Sequence, residues 1–247
     1  MPPELLAVTR AGVREADIFR LWLEFYRPHV DGFFILLVRE ASDDISLLEA
    51  MCHRAGAEWT VHDCPRFESH PALAALRTAV MQRPCAWVLH TDTDEFLRHP
   101  ADLRQLISCL EAEGADHYAA RMMDRFAPEG RLRSLEAVST LEDLGAAFPV
   151  QAEVTRYLAR GNCHKRCLAR WPAVCIHDRT GALTKLSSRR GLLDHYKWRT
   201  GLRNRLTKRF IDYTLAGIPW AGESGRLLDE LQAHGRFRVE QWPASEA

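Results

Sequence analysis

The chain has 247 residues, 47% of them hydrophobic, and its 33 lysines and arginines balance its 33 aspartates and glutamates. That length supports one sizeable core, and the balanced charge argues against a nucleic-acid binder, which usually carries a basic excess. No apolar run is long enough to cross a bilayer, and the N-terminus lacks the pattern of a signal peptide. We therefore expect a cytoplasmic protein whose seven cysteines are reduced thiols.

Short apolar runs alternate with amphipathic segments through the first half of the chain. The amphipathic segments have apolar residues at helical spacing, and the runs between them are rich in branched and aromatic residues. Ser42 is predicted to cap the second helix and Gly56 to end it. In chain order the pattern predicts strand 5–10, helix 14–28, strand 32–39, helix 42–56, strand 58–63, helix 70–83, strand 86–91 and helix 100–114.

This alternation predicts an α/β fold with a mostly parallel sheet flanked by helices. The second half is less regular and ends in helix, with predicted strands at 117–123, 165–171 and 173–178 and a helix at 200–217. No internal repeat or clear boundary divides the chain, although its character changes near Asp124. In open sheets of this kind, ligands bind at the carboxyl ends of the strands.

Three carboxylates follow directly after the fourth predicted strand, in the segment WVLHTDTDEFL: Asp92, Asp94 and Glu95. They repel one another unless a positive group lies between them, and Mg²⁺ or Mn²⁺ bound to carboxylates and phosphates is the usual solution. In an extended backbone Asp92 and Asp94 point the same way. The alternative is an exposed acidic turn that caps the helix after Pro100.

The same segment resembles the D-x-D-E-F motif of family 2-like glycosyltransferases with a GT-A fold. Three further segments resemble a bacterial group of that family, in the same order: MDRFAPEGRL (123–132), HKRCLAR (164–170), which contains a fixed lysine in that group, and HYKWR (195–199). The resemblance implies one GT-A-like domain, with a nucleotide-sugar-binding half at 1–123 and an acceptor-side half at 124–247.

The resemblance also implies a reaction. A sugar would pass, with inversion, from a nucleotide-diphosphate sugar to the hydroxyl of a glycan or lipid-linked acceptor, in glycan or polysaccharide biosynthesis. Mn²⁺ or Mg²⁺ bound by Asp92 and Asp94 would neutralise the diphosphate. Asp43 or Asp44 matches the acid that helps hold the nucleoside, and this pair also suits the first turn of a helix. The first loop departs from the family pattern, because Arg14 precedes Glu15 where an N-E pair is frequent.

Other site residues have open alternatives. Glu95 is expected to contact the metal, to orient the acceptor or to form a salt bridge. In HYKWR, His195 is a candidate third metal ligand and Lys197 and Arg199 are candidate diphosphate contacts; the alternative is that Tyr196 and Trp198 pack inward while the charges are solvated. The candidates for the general base are Asp124, Asp178 and Asp194. Asp124 is also suited to an ion pair with its neighbour Arg125.

Rival interpretations remain. Cys163, Cys167, Cys175 and His177 are spaced C-x3-C-x7-C-x-H, which would suit structural zinc, although buried thiols are the commoner outcome. A nucleotidyltransferase would need a glycine- and lysine-rich loop near the N-terminus, which VTRAGVREAD lacks. A non-catalytic α/β module would hold the acidic cluster by salt bridges. Peripheral association with a membrane also stays open.

Overall fold

A computed structural model of the protein describes residues 4–64, 69–98, 103–171 and 185–244. The chain divides into two compact units. Unit 1 contains residues 1–120 and 165–191, and unit 2 contains residues 121–164 and 192–247. The division into halves at residue 123 is a prediction that these units leave untested, because unit 1 also takes in a segment from the second half of the chain.

Nine strands and eight α-helices are defined in the described ranges. The strands are β1 (Leu5–Ala11), β2 (Gly32–Glu40), β3 (Glu58–Cys64), β4 (Trp87–His90), β5 (Glu95–Leu97), β6 (His117–Phe126), β7 (Val150–Ala152), β8 (His164–Arg170) and β9 (Leu186–His195). The helices are α1 (Ala16–Tyr26), α2 (Ser46–Ala55), α3 (Ser69–Met81), α4 (Leu103–Glu113), α5 (Leu141–Ala147), α6 (Val154–Tyr157), α7 (Leu202–Leu215) and α8 (Ala221–His234).

The sheet has the strand order β3-β2-β1-β4-β8-β6-β9-β5, with β7 paired to β6. The pairs β2–β3, β1–β2 and β1–β4 are parallel, whereas β4–β8 is antiparallel. The predicted α/β class, with a mostly parallel sheet flanked by helices, is confirmed. In the described ranges, no helix combines the length and apolar character needed to cross a bilayer.

The buried strands of unit 1 explain why the sheet forms there. Every residue of β4 is buried, and β2 is buried from Phe33 to Val38, as expected for strands that are covered on both faces. One cluster packs α3 against these strands through Leu76 and Val80, which meet Phe34 and Val88. Burial of this apolar surface is the main term that stabilises the arrangement.

Unit 2 has its own core around three aromatic side chains. The rings of Phe126 and Trp198 stack with centroids 4.8 Å apart, and Phe237 lies 4.7 Å from Trp198. α7 and α8 pack against this cluster through apolar residues that include Leu206 and Leu231. The MDRFAPEGRL segment contributes a tight turn to the same core.

Gly130 shows why this turn needs glycine. Its φ of +72° lies in the left-handed region, and an added Cβ would lie 1.9 Å from the carbonyl oxygen of Phe237. The two residues are also joined by a hydrogen bond from the Phe237 N–H to the Gly130 carbonyl, 3.0 Å long.

Two local expectations are corrected. α2 begins at Ser46 and is preceded by Ile45, so Ser42 is not its cap; instead the Asp44 carboxylate accepts a hydrogen bond of 3.0 Å from the Ser46 N–H. Gly56 ends the helix with φ +62°, as predicted. The backbone after β4 is a turn at Thr93 and Asp94, not an extended segment, so the alternation that would point Asp92 and Asp94 the same way does not apply.

Candidate functional site

The carboxyl ends of β1, β2, β3 and β4 lie at one edge of unit 1, because these strands run parallel. The chain passes from β1 to β2 and β3 on one side, and β4 then returns to pair with β1 on the other side. This reversal of strand order is the position at which open α/β sheets bind ligands. Arg10 at the end of β1 and Asp92 just after β4 both lie at this reversal.

The residues Asp92 to Glu95 form a turn that is closed from both ends. The Glu95 N–H donates to the Asp92 carbonyl over 3.0 Å, and the Asp92 N–H donates to Glu95 Oε2 over 2.7 Å. Backbone and side chain therefore hold the same four residues together. The turn places Asp94 at its corner and turns the Glu95 carboxylate back into the protein.

Lys165 supplies the positive charge that this acidic cluster requires. Its ammonium forms ion pairs with Asp92 Oδ2, at 3.0 Å, and with Glu95 Oε2. The side chains of Lys165 and Glu95 are 4% and 3% exposed, so both charges are buried. Burial by itself lowers the pKa of Lys165, but the two carboxylates outweigh burial and raise it. The ammonium therefore stays charged.

The strand register explains how Lys165 arrives there. β8 pairs antiparallel with β4, with Leu89 opposite Leu168 and Trp87 opposite Arg170. Continuing this register beyond the end of β4 sets Lys165 opposite Asp92. A residue more than 70 positions away in the sequence is thus brought to the acidic turn by strand pairing alone.

The turn is anchored from α1 as well. The Trp22 indole N–H donates to Thr91 Oγ1 over 2.9 Å. The Tyr26 hydroxyl donates to the Glu95 carbonyl over 3.2 Å and accepts from the Leu97 N–H over 2.8 Å. Burial raises the pKa of Tyr26, which keeps this hydroxyl protonated as a donor. These buried contacts explain why the segment stays packed, with Phe96 and Leu97 only 4% and 2% exposed.

Asp94 differs from its neighbours. It is partly exposed, and it has no hydrogen bond or ion pair with any residue in the described ranges. Asp92 is also partly exposed, with its side chain 28% accessible, but Lys165 lies at 3.0 Å and Arg10 Nε at 3.9 Å. The edge therefore offers one uncommitted carboxylate beside one that already has cationic neighbours.

This donor set limits the kind of cation that fits. Within the described residues, no three histidine, cysteine or acidic side chains are grouped closely enough to hold a metal ion on their own. Mg²⁺ and Mn²⁺ commonly take only one or two protein carboxylates and complete their shells with water and phosphate oxygens. Asp94 with Asp92 fits that second mode.

The neighbouring strand end carries the two predicted nucleoside-binding acids. Asp43 Oδ2 accepts from the Glu40 N–H over 3.1 Å, and Asp44 serves the first turn of α2. The hydrogen bonds from Ser46 lower the pKa of Asp44. Both acids thus shape the loop after β2, at the same edge as Asp92. Their role toward a nucleoside stays a prediction.

Glu15, the acidic residue of the first loop, forms a hydrogen bond within that loop. Glu15 Oε2 accepts a hydrogen bond of 3.1 Å from the Gly12 N–H, directly after β1. Arg14 pairs with Glu40 at 3.2 Å. Arg14, which stands where the resemblance would lead one to expect asparagine, therefore links the loop after β1 to the last residue of β2.

In unit 2, Asp124 and His195 form a buried pair. His195 Nδ1 lies 2.8 Å from Asp124 Oδ1, and the two side chains are 9% and 1% exposed. The same carboxylate accepts from the N–H of Thr155 at 2.6 Å and from its hydroxyl at 2.8 Å. The carboxylate requires a proton on Nδ1, so in the neutral ring the lone pair is on Nε2.

Asp194 has a different partner. β6 and β9 are neighbours in the sheet, and successive side chains on each strand point to opposite faces. Asp124 therefore meets His195 on one face, while Arg125 Nε approaches Asp194 Oδ1 to 3.7 Å on the other. The ion pair expected between Asp124 and Arg125 is not what forms. Arg125 pairs with Asp194 instead.

The remaining HYKWR residues are mostly interior. Tyr196, Trp198 and Arg199 are 6%, 0% and 1% exposed, while Lys197 is partly buried and lies over the Trp198 ring at 5.4 Å. The aromatic residues pack inward as one interpretation expected, but the Arg199 charge is not solvated. Contacts of Lys197 and Arg199 with a diphosphate stay predictions, as does ligation of a metal by His195.

Some predicted residues lie outside the described ranges. Asp178 is one, as are Cys175, His177 and the strand predicted at 173–178. The six described cysteines are free thiols. Burial raises the pKa of Cys167 to about 12, so this thiol is protonated at neutral pH. Zinc binding by the cysteine-rich segment stays an untested alternative.

Three residues of the acidic edge were not assigned to the site from sequence. They are Arg10, Tyr26 and Lys165. The resemblance of HKRCLAR to a segment with a fixed lysine was the signal for Lys165, but nothing in its local pattern tied it to Asp92. In the sequence pattern, Tyr26 belongs to the apolar face of the helix that became α1, and Arg10 is a polar residue at the end of a predicted strand.

No protein-family model matches the chain, and none of the curated proteins is a significant match. Solved structures are similar at low identity. TarS of S. aureus, residues 1–349 in complex with UDP, is 17% identical with a TM-score of 0.37, over 53% of this chain and 40% of that one. Another structure of TarS 1–349 gives 10% identity and a TM-score of 0.43, over 94% and 72%.

A third similar structure is glucosyl-3-phosphoglycerate synthase of Mycobacterium tuberculosis with Mn²⁺, UDP and glucosyl-3-phosphoglycerate. It is 20% identical with a TM-score of 0.35, over 50% of this chain and 44% of that chain. The chain thus spans less than half the length of two of these three structures. The fold assignment rests on the chain's own strand order and not on these similarities.

Proposed function

We propose that this chain is a GT-A-like, family 2-like glycosyltransferase that uses Mn²⁺ or Mg²⁺. It would transfer a sugar, with inversion, from a nucleotide-diphosphate sugar to a hydroxyl acceptor in glycan or polysaccharide biosynthesis. The observation that carries the proposal is the position of the Asp92–Glu95 turn. It lies where the strand order reverses and presents Asp94, which has no hydrogen bond or ion pair with any described residue, beside Asp92.

We propose a separate role for each carboxylate of the acidic turn, based on its contact with Lys165. Asp94 is the first carboxylate available to a cation, and Asp92 is the second, because Lys165 lies at 3.0 Å from its Oδ2. When bound, the cation neutralises the diphosphate and acts as a Lewis acid for the leaving nucleoside diphosphate. Glu95 is buried against Lys165, so its role here is to position the lysine and the turn.

Two cations of the chain suit an anionic ligand at the same edge. The Lys165 ammonium is buried and fixed by two carboxylates, and Arg10 approaches Asp92 from the end of β1. Positive groups that are already oriented lose little freedom when a diphosphate binds. We propose that they limit the repulsion between the carboxylates and an incoming diphosphate.

In the acceptor-side half, we propose that Asp124 and His195 act together in proton transfer or metal binding. Asp124 is buried and already accepts hydrogen bonds from Thr155 and His195, so we propose that it acts by orienting the imidazole. The Nε2 atom of His195 is then the site that takes a metal ion or a proton. Asp178 and Asp194 remain alternative bases, and Lys197 and Arg199 remain proposed diphosphate contacts.

One observation favours a second function of a different class. A non-catalytic α/β module is expected to neutralise its acidic cluster internally, and Lys165 does form ion pairs with both Asp92 and Glu95. The two functions differ in their response to nucleotides. Only the transferase requires a divalent cation for tight binding of a nucleotide-diphosphate sugar.

The test is thermal unfolding of the full chain with UDP- and GDP-sugars, each with Mn²⁺, with Mg²⁺ or with a chelator. A ligand that binds only the folded state raises the unfolding temperature. The transferase predicts that at least one sugar nucleotide raises it in Mn²⁺ or Mg²⁺ and that the chelator abolishes the rise. If no sugar nucleotide produces a cation-dependent rise, the binding module is the better account.

A further inference from the structure

The Asp124 carboxylate is held by Thr155 as well as by His195. Thr155, in the first turn of α6, donates its backbone N–H to Asp124 Oδ2 over 2.6 Å and its hydroxyl to Asp124 Oδ1 over 2.8 Å. His195 Nδ1 lies 2.8 Å from the same Oδ1. Thr155 therefore contacts both carboxylate oxygens, and the imidazole shares one of them with the hydroxyl.

These hydrogen bonds lie inside unit 2. The side chains of Asp124 and His195 are 1% and 9% exposed. Water cannot readily replace a donor that is lost from a buried carboxylate, so each of its hydrogen bonds matters more than it would at the surface. Loss of the Thr155 hydroxyl would therefore change the remaining bond between Asp124 Oδ1 and the imidazole.

A second buried carboxylate of the same unit has different partners. The side chain of Glu153 is 0% exposed and forms ion pairs with Arg121 at 3.4 Å and with Arg156 at 3.2 Å. Among the described residues, Asp124 has no lysine or arginine within ion-pair distance. A carboxylate held by neutral donors can stabilise a cation that forms only during a reaction, such as an imidazolium, whereas arginine partners already neutralise Glu153.

Packing fixes the side chain of Thr155. The Gly161 N–H donates to the Thr155 carbonyl over 2.8 Å, so the loop after α6 folds back over this residue. A Cβ added at Gly161 would lie 3.3 Å from the Thr155 Cγ2 methyl, which shows that this methyl lies against the glycine. Threonine is stiff about χ1, and with its methyl held by the loop its hydroxyl stays directed at Asp124.

We propose that Thr155 is a positioning residue for His195. Its hydroxyl fixes Asp124 Oδ1, and this oxygen holds the imidazole with its proton on Nδ1. This role rests on the proposed function, in which Nε2 of the same ring takes a metal ion or a proton. Thr155 lies outside the D-x-D-E-F and HYKWR segments, and it meets Asp124 only because α6 packs beside β6.

The test is the NMR spectrum of the imidazole groups in the full chain labelled with ¹⁵N-histidine. His195→Gln identifies the His195 signals by their loss. Thr155→Val removes the hydroxyl and keeps the branched shape and the backbone N–H. We expect it to move the His195 Nδ1–H proton downfield, because Asp124 Oδ1 then accepts one hydrogen bond instead of two and accepts it more strongly. Thr155→Ser keeps the hydroxyl, so its signal should stay near the wild-type position.

Thr207→Val is the matched control. The Thr207 hydroxyl donates to the Arg203 carbonyl within α7 of the same unit, so its loss should leave the His195 signals unchanged. Circular dichroism and urea unfolding establish that each variant is folded. If Thr155→Val is unfolded, Thr155→Ala removes the same hydroxyl with a smaller side chain and should also move the signal downfield.

Three results would overturn the inference. The first is a wild-type His195 ring whose proton is on Nε2. The second is a folded variant without the Thr155 hydroxyl in which the Nδ1–H signal keeps its wild-type position. The third is an equal shift in Thr155→Ser and Thr155→Val, which would assign the effect to packing. The samples contain no nucleotide, so a failure to bind sugar nucleotides would refute the proposed function and leave these spectra unaffected.

Discussion

Lys165 and Glu95 form a buried ion pair at the end of the fourth strand, with side chains only 4% and 3% exposed. The same ammonium lies 3.0 Å from Asp92. A positive group inside the protein thus relieves part of the repulsion among the three carboxylates. Of these three carboxylates, Asp94 is the one that has no hydrogen bond or ion pair with a residue in the described part of the chain.

Removing one partner of this pair should be costly. Lys165→Met removes the ammonium that pairs with the buried Glu95 carboxylate, and breaking such a pair typically costs about 3–5 kcal/mol. We expect a loss of that order in the free energy of unfolding, measured in urea. The Lys165→Met/Glu95→Gln double variant should recover much of the loss, because it removes both charges.

The control for this experiment is Lys185→Met, since Lys185 is an exposed lysine of the same unit. It should change stability by less than about 1 kcal/mol. Equal losses in Lys165→Met and Lys185→Met would show that the buried pair does not hold the turn.

Gly130 provides a prediction for the turn in MDRFAPEGRL. Gly130→Ala requires a positive φ and sets a Cβ against the Phe237 carbonyl, so it should lower the free energy of unfolding by about 2–4 kcal/mol. Gly145→Ala is the matched control, because Gly145 lies in α5 with no atom within 4 Å of the added carbon. That change should be neutral or stabilising by up to about 1 kcal/mol. Similar effects at both positions would contradict the account of the turn.

The Asp124–His195 pair predicts a specific tautomer. In the wild type, the neutral His195 ring should have its proton on Nδ1, and ¹⁵N chemical shifts of the imidazole report this directly. Asp124→Asn can present an amide N–H to the ring and should shift the proton to Nε2. Asp194→Asn is the control, because Asp194 approaches Arg125 on the other face of the sheet. A tautomer that Asp124→Asn leaves unchanged would remove Asp124 as the orienting group.

Glu230 should make unit 2 sensitive to acid. Its carboxylate accepts hydrogen bonds from Arg238 Nε at 2.9 Å and Nη2 at 3.0 Å. Burial by itself raises the pKa of Glu230, but the bonds and charge of Arg238 outweigh it, so the folded pKa lies below the ordinary value. The stabilisation is therefore complete above the unfolded pKa of about 4.3 and is lost as pH falls through the lowered folded pKa.

Glu230→Gln removes the ionised carboxylate, so its stability relative to wild type measures the contribution of the Glu230–Arg238 interaction. The variant should be less stable than wild type by roughly 2 kcal/mol at pH 7, and the difference should shrink as the pH falls below about 4. The readout is urea unfolding as a function of pH. The exposed Glu240 pairs with Arg236, so Glu240→Gln is the control and should have little effect. A constant difference between Glu230→Gln and wild type across this pH range would refute the linkage.

The first half of the fold followed from local pattern. Apolar runs and amphipathic segments locate β1 to β4 and the helices between them, and the carboxyl edge of the sheet follows from their parallel order. Gly56 ended α2 as expected because a left-handed cap favours glycine. Ser42 failed as a cap because Asp43 and Asp44 provide competing acceptors in the same loop.

The partners of the candidate site could not be read from local pattern. Lys165 reaches Asp92 because β8 pairs antiparallel with β4, and no periodicity near either residue specifies that pairing. Asp124 and His195 are likewise 71 positions apart and meet as neighbours on β6 and β9. Sequence reasoning found the carboxylates and the histidine, whereas the identity of each partner depends on the tertiary structure.

The central claim is tested most directly by titration calorimetry of the purified chain with UDP- and GDP-sugars, in Mn²⁺ and in chelator. The account predicts that one sugar nucleotide binds only with Mn²⁺. Asp94→Asn should weaken this binding about tenfold or more, because even mutations of groups that only contact a metal ligand lower metal affinity by about that factor. Asp63→Asn, an exposed aspartate at the end of β3 paired with Arg39, should bind as wild type does. Binding that is equally tight in chelator, or unchanged in Asp94→Asn, would contradict the claim.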